Sequence, residues 1–294
     1  MPVPLVELAR WRDCAAFDDE GPARWHGYAP RMSRKRLDAI LAERGLFETR
    51  SRAAAAVLAG DIRLGDGRRR AEKPGQMVAD DVAVRVEDRP RFVSRGGQKL
   101  ENALTAFGID PADRLCLDAG ASTGGFTDCL LQRGAQHVVA VDVAYGELDW
   151  KLRNDSRVTV IERRNARELE PGELPYRPDF VVVDLSFISL TKVLPRLLDA
   201  AAEQWDCVAL VKPQFEVGRG RVGKGGVVRS AGDRRSALVA IGEWAVEQGH
   251  AVLGYASSGL PGPAGNLETF IWLAEAGRPG AVESVEAAAR EVEP

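Results

Sequence analysis

Three ionic residues fall where apolar, strand-like runs begin or end, and a fourth precedes a helical stretch. Asp184 closes Val-Val-Val-Asp-Leu-Ser-Phe, Lys212 closes Leu-Val-Lys-Pro-Gln-Phe, Glu268 opens the last apolar run after Gly-Pro-Ala-Gly-Asn-Leu, and Lys99 precedes the first helical stretch of the same region. In a doubly wound sheet ligands bind beyond the carboxyl ends of the strands, so all four side chains can point over one crevice. A lone surface ion pair is worth only about 0–1 kcal/mol. Two cations and two carboxylates arriving together at strand ends therefore point to a reaction centre.

What that centre holds can be argued from the turn after the first strand, Asp118-Ala-Gly120-Ala-Ser122-Thr123-Gly124-Gly125-Phe126. Small residues let a backbone approach a ligand, and the helix that follows opens with free N–H groups. A dinucleotide site wants G-x-G-x-x-G so that pyrophosphate sits on that helix start, yet the second glycine position is Ser122 and an acid precedes the loop. Asp118 beside a phosphate is unfavourable; beside the cationic, phosphate-free S-adenosylmethionine it is suited. Asp142, 22 positions after Gly120, is placed to accept hydrogen bonds from a ribose diol. NAD enzymes use that acid too, so Asp118 discriminates and Asp142 does not. Asp118, Gly120, Ser122, Thr123, Gly124, Gly125, Phe126 and Asp142 form the expected methyl-donor site.

Gly218-Arg-Gly220-Arg-Val-Gly223 spells G-x-G-x-x-G literally, and residues 218–225 nearly spell a P-loop. Gly225 occupies the place of the magnesium-binding Ser/Thr, the segment follows the fifth strand rather than the first, and no helix opens before about Asp233. It reads as a mobile basic loop (Arg219, Arg221, Lys224, Arg229) at the mouth of the site.

The elements that must position these residues follow from periodicity. Strand-like runs occur at 115–117, 138–143, 158–161, 180–183, 207–211, 251–255 and 269–273, mostly separated by helical stretches such as 103–107, 192–202 and 234–247. Continuous apolar strands alternating with helices predict a parallel sheet covered on both faces. Upstream, Leu37, Ile40 and Leu41 fall at helical spacing with Arg34, Lys35, Arg36, Glu43 and Arg44 on the other face. Thr49 or Ser51 can cap a second helix through Ala59, ending at Gly60; Ile62–Leu64 and Val82–Val86 read as strands, with Gly65-Asp66-Gly67 as a turn. The expected organisation is an extension (1–30), a small α+β basic domain (31–88), a linker (89–95), an α/β domain (96–277) and a tail (278–294). Met32 stands where the patterned sequence begins and is a second candidate start.

The charge divides along these lines. Residues 31–99 carry 17 Lys+Arg against 10 Asp+Glu, a balance of +7, while residues 1–30 come to −2 and residues 100–294 to −8, within 294 residues of net charge −3. A compact basic module suggests a polyanionic partner. No apolar run approaches the roughly 20 residues of a membrane helix. Four scattered cysteines without C-x-x-C spacing and no secretory signal make a reducing cytoplasm the expected location. His26, His137 and His250 are isolated from one another, so no metal site is expected.

The basic module resembles the S4 RNA-binding domain, with Arg34, Lys35, Arg36, Arg50, Arg52, Arg63 and Arg68 as expected RNA contacts beside Arg219, Arg221 and Lys224. Farther on, Ser94-Arg-Gly-Gly-Gln-Lys99, the Asp118–Phe126 loop, Asp142-Val-Ala-Tyr-Gly, Trp150-Lys-Leu-Arg-Asn, Asp184-Leu-Ser-Phe-Ile-Ser-Leu190, Lys212-Pro-Gln-Phe-Glu-Val-Gly218 and Gly262-Pro-Ala-Gly-Asn-Leu-Glu268 together are similar to the TlyA family. That family joins an S4 domain to an FtsJ-like methyltransferase domain, and its members are often labelled hemolysins. The resemblance covers residues 33–275. It implies a Rossmann-like class I methyltransferase sheet and S-adenosylmethionine-dependent 2′-O-methylation of cytidine in 16S or 23S ribosomal RNA. It also implies a catalytic Lys-Asp-Lys-Glu tetrad, matched by Lys99, Asp184, Lys212 and Glu268.

Such a transfer is an in-line displacement at a sulfonium, in which positioning can supply up to about 7–11 kcal/mol. Lys212 is the expected group to orient the weakly nucleophilic hydroxyl and to receive its proton or stabilise the alkoxide. For base work it must be neutral, a state favoured by burial and Lys99 and opposed by Asp184 and Glu268. Rival acceptors lack their signatures: Asp184-Leu-Ser-Phe187 replaces the Asn/Asp-Pro-Pro-Tyr/Phe of amino-group methylation, and Cys129 and Cys207 read as buried apolar residues rather than nucleophiles. Two other readings are a membrane-active hemolysin, which no long amphipathic stretch supports, and a non-catalytic RNA-binding shell, which an intact tetrad leaves unexplained.

Overall fold

A computed structural model describes residues 33–87 and 90–293, the Arg219 side chain excepted. The expected extension 1–30 and the candidate start Met32 lie outside the described residues. The chain divides into two units at Arg89/Pro90.

In the first unit, β1 (Arg34–Arg36) leads into α1 (Leu37–Glu43), then α2 (Arg50–Ala59), β2 (Ile62–Leu64), β3 (Arg69–Arg70), β4 (Met77–Ala79) and β5 (Val84–Val86). Leu37, Ile40 and Leu41 are buried against Ala53, Val57, Ile62, Leu64 and Val78, the helical spacing read above. Thr49 caps α2 by accepting from the Arg52 N–H, and Gly60 ends it in the left-handed region at φ +84°. The helical assignment of Arg34–Arg36 is corrected. The three arginine and lysine residues form a strand paired antiparallel with β4 through Lys35–Val78, because Arg36 holds an extended backbone ahead of α1. The strand expected from Val82 starts only at Val84, since the Val82 N–H closes a turn onto Ala79 O at 3.0 Å. β3, β2 and β5 form a three-stranded sheet.

The second unit runs α3 (Arg95–Phe107), β6 (Leu115–Ala119), α4 (Gly125–Gln132), β7 (His137–Val141), α5 (Trp150–Arg153), β8 (Val158–Ile161), β9 (Phe180–Val183), α6 (Leu194–Asp199), β10 (Asp206–Val211), α7 (Pro213–Glu216), α8 (Ala231–Glu247), β11 (Ala251–Ser257), β12 (Thr269–Ala274) and α9 (Val285–Val292). Its seven strands lie in the order β11-β12-β10-β9-β6-β7-β8. Alternate residues feed two cores: Leu117, Val139, Val181 and Val183 point to one face, Cys116, Val138, Val182 and Val208 to the other. Every expected strand is present. The sheet is not wholly parallel, however: β12 runs antiparallel to both β10 and β11. The chain returns from β11 without a crossover helix, and only an antiparallel partner allows that.

Two boundaries move. The stretch expected as linker belongs largely to the second unit, since Phe92 is buried in its core and the Val93 N–H donates to Asp128 Oδ2 at 2.8 Å. The expected tail folds as well: α9 buries Ala289, and Glu293 is paired with Arg234.

Candidate active site

The sheet order reverses between β6 and β9, and the site forms beyond their carboxyl ends, as expected at such a switch point. Gly120 permits the approach. It adopts φ +93°, and a Cβ there would lie 2.4 Å from Asp184 O, so the ends of β6 and β9 close up only around a glycine. A second close approach brings in Lys99. A Cβ on Gly125 would lie 2.2 Å from Ser94 Oγ and 2.8 Å from Gly97 N, so the first turns of α3 and α4 cross through glycines. The third lies over Glu268, where a Cβ on Gly262 would fall 2.3 Å from Oε1.

The tetrad then resolves into two ion pairs. Lys99 Nζ donates to Glu268 Oε2 at 2.5 Å, with both side chains buried. Lys212 Nζ lies 2.5 Å from Asp184 Oδ1 and donates to Ser186 Oγ at 3.0 Å. All four residues line one cavity of about 390 Å³, together with Gly120, Ser122, Thr123, Gly125 and Phe126. A neighbouring cavity of about 500 Å³ is lined by Asp142, Val143, Glu147 and Asn165. The two share Gly120, Ser122 and Asp184 and so are lobes of one cleft.

Asp142 is held ready in the second lobe, its Oδ2 accepting from the Ser122 N–H at 2.7 Å and its Oδ1 from the Ala144 N–H at 2.8 Å. Each carboxylate oxygen keeps acceptor capacity for a diol. Asp142→Ala is expected to weaken S-adenosylmethionine binding about 10- to 100-fold, the value of hydrogen bonds to a charged group, as measured by calorimetry; unchanged affinity would remove Asp142 from the donor site.

Two members of the expected donor set are placed elsewhere. Asp118 is fully buried and lines neither lobe; its Oδ2 accepts from Thr127 N at 2.9 Å and Thr127 Oγ1 at 2.6 Å. The reason is local: Gly124 precedes α4 and brings no capping side chain, and an orphan N–H at a buried helix start needs an acceptor. Burial, opposed by the Thr127 hydroxyl and reinforced by the nearby Asp184 charge, pushes the Asp118 carboxyl up to about 7. Gly124 faces α5 instead of the cleft, since a Cβ there would lie 2.3 Å from Leu152 Cδ1.

Most of the expected RNA-contacting cations hold acidic partners. Lys35 pairs with Glu43 and Asp80, Arg36 and Arg50 share Asp38, Arg52 pairs with Glu48, Arg63 with Glu87 and Arg68 with Asp66. Arg34 donates to Met77 O. Arg221 lies 3.6 Å from Asp233, and Lys224 is exposed in a short helical turn. No α-helix opens in the Gly218–Gly226 stretch before α8, as read from the sequence. The stretch is anchored by buried Asn266, whose Nδ2 donates to Gly226 O and whose Oδ1 accepts from Val228 N.

Asn266 and Ser186 were not singled out from sequence, and single polar residues in loops carry no periodic signal. Phe187 was quoted within motifs but given no role. It is 92% exposed on the second lobe's wall, holds a left-handed φ of +66°, and its ring lies 5.2 Å from that of Phe215. An exposed aromatic in strained backbone is a mark of function, and exposure is a tertiary property. The described cysteines, Cys116, Cys129 and Cys207, are buried with thiols pushed up by burial, which leaves no thiolate nucleophile among them.

Comparison with known proteins agrees with this geometry. Residues 92–275 match the FtsJ-like methyltransferase family. A Mycobacterium tuberculosis protein described as 16S/23S rRNA (cytidine-2′-O)-methyltransferase TlyA is 53% identical over 242 residues, covering 82% of this chain and 90% of that one. Hemolysin A of Brachyspira hyodysenteriae is 39% identical over 234 residues, covering 79% and 97%. A solved structure from Streptococcus thermophilus, described as a hemolysin, has a TM-score of 0.66 and 39% identity, covering 88% of this chain and 96% of that one. Among the described residues no helix is long and apolar enough to cross a membrane. With a paired Lys-Asp-Lys-Glu tetrad at the switch point and relatives matched over most of their length, the chain belongs to the FtsJ-like methyltransferases, in their TlyA group.

Proposed function

We propose that this methyltransferase acts on ribosomal RNA, methylating the 2′-hydroxyl of a cytidine. The observation that carries the reading is the convergence of Lys99, Asp184, Lys212 and Glu268 on one cavity wall. Its methyl donor, S-adenosylmethionine, supplies a methyl group on a sulfonium, an electrophile open to in-line attack. The residues of the cleft fit that donor: Asp142 offers two oriented oxygens to a ribose, and Gly120 lets the ends of β6 and β9 close up so that Asp184 reaches the same cleft. An ammonium has three N–H donors. Lys212 directs one toward Ser186 and is ion-paired with Asp184, which leaves N–H capacity for an acceptor oxygen on the cavity side. So held, the ammonium orients a weak nucleophile and stabilises the negative charge that develops on it, while the hydroxyl proton passes to the Asp184 carboxylate. Lys99 and Glu268 form the adjoining wall.

In the first unit, the helix pair and small sheets suit the S4-like RNA-binding role. Exposed Arg–Asp and Lys–Glu pairs hold weakly and can exchange their carboxylates for phosphates. Such contacts confer affinity with little sequence discrimination. That substrate implies a cytoplasmic enzyme.

The test is tritium transfer from labelled donor to separated small and large ribosomal subunits, followed by nucleoside analysis. Label in 2′-O-methylcytidine is expected. The apparent affinity for subunits should fall by orders of magnitude between about 50 and 200 mM salt if six or more phosphates are contacted, with donor affinity nearly constant. Label on a base, or no transfer to either subunit, overturns the reading.

A further inference from the structure

β9 and β10 are parallel neighbours whose last paired residues are Val183 and Ala209. Beyond that point the chain leaves toward separate helices, yet Asp184 and Lys212, one from each strand, must keep ångström-level register. Three polar or ring contacts join the diverging segments in sequence order. Lys212 meets Asp184 and Ser186, the Phe215 ring meets Phe187, and Glu216 meets the next pair of residues. Ser189 Oγ donates to Glu216 Oε2 at 2.6 Å, and the Leu190 N–H donates to Oε1 at 3.0 Å. The loop hydrogen bonds of the described backbone include none between residues 184–193 and 212–217.

The transfer reaction assigns Glu216 no task of its own. Its carboxylate is costly where it stands: burial pushes its pKa up, against the Ser189 hydroxyl, the Leu190 amide and the Lys192 charge, which pull it down. A half-buried acceptor with both oxygens engaged rigidifies what it joins. Here it joins the segment holding Asp184, Ser186 and the left-handed Phe187 to the segment holding Lys212. A left-handed non-glycine residue costs on the order of 1–3 kcal/mol and persists only where its surroundings over-determine it.

We propose that Glu216 is a positioning residue for methyl transfer, acting through the 184–190 segment to keep Asp184, Ser186 and Phe187 in register with Lys212. The inference rests on the methyltransferase reading above. It concerns kcat and RNA recognition rather than donor binding, because Glu216 lines neither lobe of the cleft.

The experiment compares Glu216→Ala, Glu216→Gln and Phe187→Ala, singly and with Glu216→Ala and Phe187→Ala combined, by tritium transfer to ribosomal subunits and by calorimetric titration with S-adenosylmethionine. Glu216→Ala is expected to lower kcat/KM about 10- to 100-fold, the scale of a misplacement near 1 Å, with donor Kd unchanged. The isosteric glutamine can accept from Leu190 N–H and donate to the Ser189 hydroxyl, so it should restore most of the activity. Because Glu216 acts through the segment carrying Phe187, the double variant should lose less than the product of the two single losses. If Glu216→Ala folds poorly, Ser189→Ala, which removes one of the two bonds, is expected to show a smaller loss of the same kind. Wild-type activity in Glu216→Ala, a glutamine variant as damaged as the alanine, or multiplicative losses in the cycle would each overturn the positioning role. A wild type without transfer to either subunit would instead overturn the reading on which it rests.

Discussion

Lys212→Ala is expected to lower methyl transfer by about 10³-fold, in the middle of the range that a positioned proton-handling group contributes, while donor affinity stays close to that of the wild type. The lysine makes its polar contacts to Asp184 and Ser186, not to the residues that hold the ribose, so the ground-state complex loses little. An interaction that matters chiefly in the transition state lowers kcat and kcat/KM together. Single-turnover tritium transfer and calorimetry on the same preparation separate the two quantities. A Lys212→Ala enzyme retaining a tenth or more of the wild-type rate would show that Lys212 neither orients the hydroxyl nor carries its charge. Lys212→Arg should rescue poorly, because a planar guanidinium cannot reproduce the ammonium's placement between Asp184 and Ser186.

The Lys99–Glu268 pair carries the largest expected effect on stability. Both side chains are buried, Glu268 to 1% side-chain exposure. Lys99→Met strands a carboxylate out of water, and breaking a buried pair from one side costs about 3–5 kcal/mol. Replacing both partners, as Lys99→Met with Glu268→Gln, removes the stranded charge and should recover most of that loss, since buried pairs exchanged for apolar or neutral groups are often neutral in stability. Transfer should nevertheless stay about 100-fold down, because a cavity wall that positions the acceptor has changed. Denaturant unfolding and transfer assays on the two single variants and the double variant measure this directly. A double variant that regained activity along with stability would reduce the pair to a structural bridge, and the site to Lys212 and Asp184.

The two pairs differ in solvent access. Lys99–Glu268 is sealed, whereas Asp184 keeps 24% side-chain exposure beside Lys212 at 12%. A group that receives a proton from substrate must be reachable from the cleft, and the more exposed pair meets that condition.

Much of this architecture was legible in residue order. Val158–Ile161 and Phe180–Val183 were delimited to the residue, because a β-branched run between polar neighbours has no other good conformation in a doubly covered sheet. Asp184 and Lys212 were legible for a related reason: an ionic residue just past the carboxyl end of such a run faces the crevice. Other elements depended on partners far along the chain. β4 is three residues long and exists because β1 pairs with it. α3 begins at Arg95, eight residues before the expected stretch, since Arg-Gly-Gly-Gln reads locally as loop and becomes helix where α4 demands glycines. α9 closes on α8 and β11, a contact that no periodicity in a short terminal segment announces.

Residue types and their spacing were enough to determine where the strands of the second unit lie and that four ionic side chains meet at one cavity, because burial and chain direction leave such residues few places to go. Tertiary packing alone decided how they are used: which lysine meets which carboxylate, that Asp118 serves a helix start and not the cleft, and that Phe187 stands in solvent. Close approaches that only glycine allows, at Gly120, Gly125 and Gly262, bring distant segments together at the site, and a contact between residues tens of positions apart is set by the packed fold, not by local sequence.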